Sequence, residues 1–421
     1  MSKANNKMGV VQLTILTMVN MMGSGIIMLP TKLAEVGTIS IISWLVTAVG
    51  SMALAWAFAK CGMFSKKSGG MGGYAEYAFG KSGNFMANYT YGVSLLIANV
   101  AIAISAVGYL SSFIPWLGSG PGPLFVGSLA LIWLTTVANF GGPSITGRIG
   151  TITVWGVIIP VAGLSIIGWY WFRADVLIAA WNPNNLPISE AISKAIPLTL
   201  WAFLGMESTA QASDAVEDPK RNVPLACLFG TLGAAVVYIL STTVIQGMIP
   251  NAELANSSAP FALVYAHMFN PTVGNIVMAL AVMACVGSLL GWQFTLAQTA
   301  KMTADQGMFP KFFSKVSTRD APIIGMLACG VLQTLMALST ISPNASEQFG
   351  KLVSLAAVTN LIPYVTAATG LLVMMYKARV SKGIYTRNTS LLLIAVAYSL
   401  YALYACGKDA VFGGLIVLAF G

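Results

Sequence analysis

Residues 197–213 read PLTLWAFLGMESTAQAS, an apolar stretch in which Glu207 is the only formally charged side chain. A charge at mid-membrane costs roughly 2.5–3.5 kcal/mol on insertion scales, so an acid placed there marks a path for a proton or a cation. The rest of the chain sets the same context. Its 421 residues are 57% hydrophobic and only 8% charged, where a soluble domain carries about a quarter charged residues. The class this implies is an all-α integral membrane protein, because spans of this length cross a bilayer as helices.

Uncharged runs cover 8–31, 36–59, 82–147, 149–172, 222–252, 268–300, 321–346, 352–376 and 388–407. Each suffices for a helix of about 20 residues, and 82–147 suffices for two. The stretch LGSGPGP at 117–123 is the turn signal between that pair. Adding the Glu207 stretch and a last apolar run from Ala410 predicts twelve transmembrane helices in a single domain, 1–421. The last run holds 12 residues, up to Gly421, so helix 12 is expected to be truncated or to lie in the interface.

The net charge of +9 raises nucleic acid as a partner, but the distribution argues against it. With the N-terminus in the cytoplasm and sides alternating, 17 of the 22 Lys and Arg residues fall inside, leaving Lys32, Arg173, Lys194, Lys351 and Lys408 outside. That is the positive-inside rule, and it predicts a multi-pass protein of the plasma membrane with a cytoplasmic N-terminus. No cleavable signal is visible at that end. The five cysteines are scattered singly and the one histidine, His267, stands alone. No metal or cofactor is therefore expected, since both need clustered ligands. Nor is an enzyme expected, because no nucleophile–base pair is visible.

Two spans carry internal irregularities. Span 1 reads VNMMGSGIIMLP at 19–30, with Gly23-Ser24-Gly25 at mid-membrane; span 6 reads LWAFLGMES at 200–208, with Gly205 beside Glu207. Small residues also serve tight helix packing, which is the simpler reading of any one glycine. Their positions favour a second reading. Spans 1 and 6 open two five-helix halves of opposite orientation, about 8–172 and 192–376, followed by helices 11 and 12 at about 388–421. Paired broken helices in inverted repeats point to a transporter's substrate site, where the freed N–H groups of a half-helix attract a carboxylate.

Glu207 lies six residues beyond Trp201, about 1.7 turns on a regular helix and so on a different face. A break at Gly205 would let acid and aromatic share one cavity. Together they suit a cationic amine, by cation–π attraction and a charge-assisted hydrogen bond. The amides of Gly23-Ser24-Gly25 would take a carboxylate, so the ligand implied is a basic amino acid. The alternative for Glu207 is a hydrogen bond between helices. Trp292 in GSLLGWQF, Asn99 in span 3 and Ser354 in span 10 are further candidates, each equally open to a packing role. Glu76, in GGMGGYAEYAFG, is a secondary candidate whose alternative is a loop acid paired with Lys66, Lys67 or Lys81. Gly80-Lys81-Ser82 superficially suggests a phosphate loop, but that motif needs glycine where Ala75 stands.

Taken together, GSGI after VNMM, the GG(x)3Y segment at 69–74, LWAFLGMES, DPKRNVP at 218–224 and GSLLGW at 287–292 resemble the amino acid–polyamine–organocation superfamily. The resemblance covers essentially the whole chain and is strongest to its basic amino acid/polyamine antiporter branch. Residues 7–103 are most similar to the putrescine–ornithine antiporters, whereas ISPNAS (341–346) and IPNAEL (249–254) resemble arginine–agmatine exchangers as much. The stretch after Glu207 departs from the putrescine pattern. The resemblance implies twelve helices with helices 1 and 6 unwound. It implies that Ser24 and Gly25 bind the substrate carboxylate, that Asn20, Asn99, Trp201, Trp292 and Ser354 line the cavity, and that Tyr91, Trp201 and Trp292 gate it. Glu207 would bind the amine and couple protons, and Glu76 would be linked to transport.

The expected activity is one-for-one exchange of a basic amino acid for its decarboxylated diamine, ornithine for putrescine in the first instance, with proton-linked putrescine uptake. Lysine/cadaverine, arginine/agmatine and histidine/histamine exchange, or proton–amino acid symport, are the alternatives. The four exchange pairs, ornithine/putrescine included, differ by a methylene or a head-group shape, worth only about 1–3 kcal/mol in a pocket. The partners implied are these small molecules, membrane lipid and a cytosolic amino acid decarboxylase; homo-oligomerisation is left open. The location implied is a bacterial inner membrane.

Overall fold

In the computed structural model, residues 9–67, 70–207, 217–339, 341 and 345–421 are described. The sequence features at Lys3, Lys7, Gly69 and Asp214, most of ISPNAS, and the Ser24 side chain lie outside them. The described residues are helical, with no strand among them. Eight helical stretches are long and apolar enough to cross a membrane: Ser40–Phe64, Gly70–Leu110, Pro121–Gly141, Pro143–Tyr170, Arg221–Gln246, Pro271–Asp305, Glu347–Lys377 and Lys382–Ala405. Val10–Met21 and Ile323–Leu338 are shorter apolar helices. The chain is a multi-pass membrane protein.

The first apolar run is not one helix. α1 (Val10–Met21) ends before Gly23, a single 3₁₀ turn covers Ser24–Ile26, and α2 (Leu29–Val36) resumes with Pro30 in its first turn. Proline is tolerated there because the first N–H groups of a helix have no intrahelical acceptor. α3 (Ser40–Phe64) follows a corner at Gly37, whose φ of +105° suits glycine. α4 (Gly70–Leu110) bends at Gly80, φ +66°. Its first limb is thus helical, where the sequence suggested a polar connection. α5 (Pro121–Ala138), α6 (Pro143–Thr153), α7 (Trp155–Ile167) and the short α8 (Ala174–Ala179) lead to α9 (Ile188–Trp201). Beyond Trp201 the backbone leaves the helix, and Gly205 takes φ +106°.

α10 (Pro219–Gln246), α11 (Asn251–Ala255), α12 (Pro260–Met268) and α13 (Pro271–Asp305) come next. α14 (Ile323–Ser339), α15 (Ala345–Lys377), α16 (Lys382–Ala405) and α17 (Lys408–Phe420) complete the chain. α4 is central and packs along α15 and α13 more extensively than any other helices pair. Its polar side chains Ser94 and Asn99 are consequently buried. Phe203, in the turn after α9, wedges edge-on against Trp44 of α3 and Tyr238 of α10, at ring separations of 6.1 and 5.6 Å. That aromatic contact packs the turn segment against α3 and α10, while i→i−3 backbone bonds such as Phe203 N–H to the Leu200 carbonyl at 2.9 Å run through it.

Candidate functional site

The two interruptions meet. A Cβ built on Gly25 would lie 3.5 Å from Ala202 Cα and 3.6 Å from Trp201 Nε1, so the first break abuts the start of the second. A Cβ on Gly205 would lie 3.0 Å from the Asn20 carbonyl oxygen and 3.2 Å from the Trp292 ring. At φ +106° that position suits glycine on conformational as well as spatial grounds. Between the breaks lies a cavity with Asn20, Gly25, Tyr91, Trp201, Glu207 and Trp292 in its wall. Six of the residues singled out from the sequence therefore surround one space.

Glu207 is 2% exposed, yet its carboxylate is well supplied with donors. Tyr91 Oη donates to Oε1 at 2.9 Å, Tyr364 Oη donates to Oε2 at 2.5 Å, and the Gly205 N–H donates to Oε2 at 3.1 Å. Hydrogen bonds to an ionised acceptor are roughly twice as strong as neutral ones, and they offset the cost of burying the acid. A carboxylate oxygen has two lone pairs, so an ionised Glu207 that accepts from Tyr91 at Oε1 can also accept from an ammonium there.

Trp201 is buried, with its ring edge-on to Phe349 at 6.0 Å and its Nε1 unpartnered. Trp292 is half-buried and lines both this cavity and a larger vestibule. The vestibule runs between α1, α6 and α13 toward the end of the bundle where α1 begins and α13 finishes, and it shares Asn20, Gly23, Tyr91 and Ser288 with the inner cavity. Tyr91 and Trp292 thus stand between the two spaces. The opposite end is shut. Tyr109 Oη donates to the Ile27 carbonyl at 3.0 Å, and Thr31 Oγ1 donates to the Ser257 carbonyl at 2.7 Å, tying α2 and the turn before it to α4 and the α11–α12 connection.

Not every candidate joins the cavity. Asn99 is fully buried with both side-chain polar atoms unpartnered, and Ser354 is half-buried; neither lines the cavity in this structure. Glu76 lies on the first limb of α4, where it accepts from Lys67 at 2.6 Å and Asn84 at 2.7 Å. Its partner is one of the lysines the sequence offered. Tyr364 and the cavity residues Asn360, Ser94 and Ser288 escaped the sequence reading. Asn360 and Tyr364 are four apart in one apolar helix, as are Ser288 and Trp292. That spacing shares a helix face and was the available signal. Among the described residues no group of His, Cys, Asp and Glu is arranged to hold a metal.

Comparison with known proteins now bears on this geometry. The family model described as amino acid permease matches residues 8–411. The putrescine transporter PotE of Escherichia coli K12 is 62% identical over 424 aligned residues, covering 100% of this chain and 96% of the relative. PotE of Haemophilus influenzae Rd is 61% identical over 421, covering 100% and 97%. The cadaverine/lysine antiporter of E. coli K12 is 38% identical over 353, covering 82% and 78%.

Proposed function

The chain belongs to the amino acid permease family, and on that premise we propose that it is an antiporter exchanging a basic amino acid for its decarboxylated diamine, ornithine for putrescine. The observation that carries this reading is the Glu207 carboxylate, buried at the second break and facing the first across a cavity walled by Trp201 and Trp292. An acid and two indoles suit a primary ammonium. The backbone amides of the first break suit the carboxylate that ornithine has and putrescine lacks. Ser24 and Gly25 take that group, Asn20 and Asn99 contribute polar contacts, and Ser354 serves when the cavity rearranges around substrate. Asn99, whose amide atoms have no partner among the described residues, like Ser354 reaches substrate only after that rearrangement.

The architecture that goes with this activity is twelve helices, two inverted five-helix repeats at 8–172 and 192–376, and a cytoplasmic N-terminus in a bacterial inner membrane. In that orientation the vestibule opens to the cytoplasm and the Tyr109–Ile27 side faces out. Putrescine enters past Trp292 and Tyr91, and one ammonium engages Glu207. Closure of the vestibule and opening of the far side then release it, and ornithine returns by the same route. Ornithine carries one net positive charge and putrescine two, so each cycle exports one charge. Against an inside-negative potential that costs about 2.3 kcal/mol per 100 mV, and the diamine gradient maintained by a cytosolic decarboxylase supplies it. Protonation of Glu207 weakens its hold on the amine and provides the route to proton-linked uptake.

Efflux of labelled putrescine from liposomes tests the reading. Efflux stimulated many-fold by external ornithine supports exchange. Efflux driven by a pH gradient and indifferent to external amino acid would make the protein a proton symporter instead. The same liposomes loaded with cadaverine, agmatine or histamine rank the alternative pairs.

A further inference from the structure

Where α13 passes the cavity it reads MACVGSLLGWQFTLA, residues 283–297, with apolar side chains on almost every side. Hydrophobic burial alone does not choose how such a helix is turned about its axis. The choice falls to the few polar groups that grip it. Ser288 and Trp292 meet the cavity, and the side chain next to Trp292 is the one that is gripped.

Gln293 is buried. Its Oε1 accepts from Thr135 Oγ1 of α5 at 2.6 Å, and its Nε2 donates to the Ile132 carbonyl at 3.1 Å and to Gln333 Oε1 of α14 at 3.0 Å. Just before it, the Leu290 carbonyl accepts from Asn139 Nδ2 at 2.9 Å, and Asn139 Oδ1 accepts from Thr146 Oγ1 of α6 at 2.7 Å. Thr146 itself lines the vestibule. α5 and α14, and through Asn139 also α6, thus hold residues 290–293, the segment that carries Trp292. Stability does not account for this network. Gln333 is 1% exposed and its Nε2 has no partner among the described residues, and an unpaired buried donor costs about 1–3 kcal/mol. A partly satisfied polar network is less stable than an apolar core. What the network supplies is direction, because its bonds are made together at one rotation of α13 and lost at others.

We infer that Gln293 is a positioning residue, whose bonds to α5 and α14 fix α13 about its axis so that the Trp292 indole faces the cavity. Its effect on substrate rests on the transport reading above, in which Trp292 meets the amine. The orientation of α13 does not.

Gln293→Leu keeps the size of the side chain and removes its bonds. Orientation is read without transport from Gly291→Cys, at a vestibule position where a Cβ meets nothing within 4 Å. A polar thiol reagent is added to the detergent-purified protein, and because the native cysteines are buried, labelling is read as the excess over the parent chain. In Gln293→Leu that labelling is expected to slow by about threefold to tenfold, the hold of one hydrogen bond. The half-saturating putrescine concentration for exchange should rise by a similar factor. That rise should vanish when Trp292→Ala is already present, since residues acting through one another are not additive. Thr135→Val removes one bond and keeps the shape; it should give the same effects in smaller size, and it carries the test if Gln293→Leu does not fold. Unchanged labelling in these variants, or a putrescine effect that adds in full to that of Trp292→Ala, would overturn the proposal. Wild type that exchanges no putrescine would overturn the transport reading alone, and the labelling would still decide the orientation of α13.

Discussion

Tyr91 and Glu207, 116 residues apart in sequence, are joined by a hydrogen bond of 2.9 Å from the tyrosine hydroxyl to Oε1. The bond links the central helix α4 to the non-helical turn after α9, and Tyr91 also stands at the mouth of the vestibule. A substrate ammonium that reaches Glu207 must share that oxygen with Tyr91 or displace it. On the proposed reading, gating and amine recognition therefore meet at one atom.

Tyr364 holds the other carboxylate oxygen. Tyr364→Phe removes one donor to a charged acceptor, worth about 1.5–3 kcal/mol. The half-saturating putrescine concentration is expected to change by about tenfold or more, read from exchange at graded substrate, while Glu207 keeps its bonds from Tyr91 and Gly205.

At Gly205 the constraint is steric and conformational. Gly205→Ala places a methyl 3.0 Å from the Asn20 carbonyl and 3.2 Å from Trp292, in a backbone conformation unfavourable to an L side chain. The cost is about 1–3 kcal/mol. A lowered thermal midpoint, accompanied by loss of transport, is the expected outcome of a melting assay run beside exchange.

Trp201 tests the aromatic contribution to amine binding. Trp201→Phe keeps a ring, with a weaker attraction for a cation than indole, whereas Trp201→Ala removes the face worth about 2 kcal/mol when desolvated. Apparent putrescine affinity should fall modestly in the first and by about thirtyfold in the second. An equal loss in both would assign the indole to packing against Phe349.

Protonation gives a sign that can be checked. The ammonium is held by ionised Glu207, so binding is fully present above the pH at which that acid titrates in the substrate-free protein and is lost as pH falls through it. Putrescine affinity at the cytoplasmic face should therefore drop on acidification. In Glu207→Gln, whose side chain has no proton to exchange, that dependence should flatten.

The breaks were legible because glycine in the middle of an apolar span has few uses, and Gly23, Gly25 and Gly205 fell in corresponding spans. Glu207 was legible because a lone charge there is costly. Tyr364 was not: a tyrosine in an apolar helix looks the same whether its hydroxyl meets a carboxylate or the lipid interface, and only the fold brings α15 to the turn after α9. Nor could the sequence tell that Asn360 lines the cavity and Asn99 does not, since both are asparagines within apolar helices. The Lys67 partner of Glu76 was one of three lysines offered, and spacing along the chain alone does not choose among them.

The most direct measurement is counterflow by Glu207→Gln: labelled ornithine uptake into liposomes loaded with putrescine, on protein shown to be monodisperse and inserted. A buried charge-assisted contact to the amine predicts exchange reduced by about one to two orders of magnitude relative to wild type, with insertion unchanged. Wild-type counterflow in that variant would contradict the account and return Glu207 to a structural role between α4 and α15.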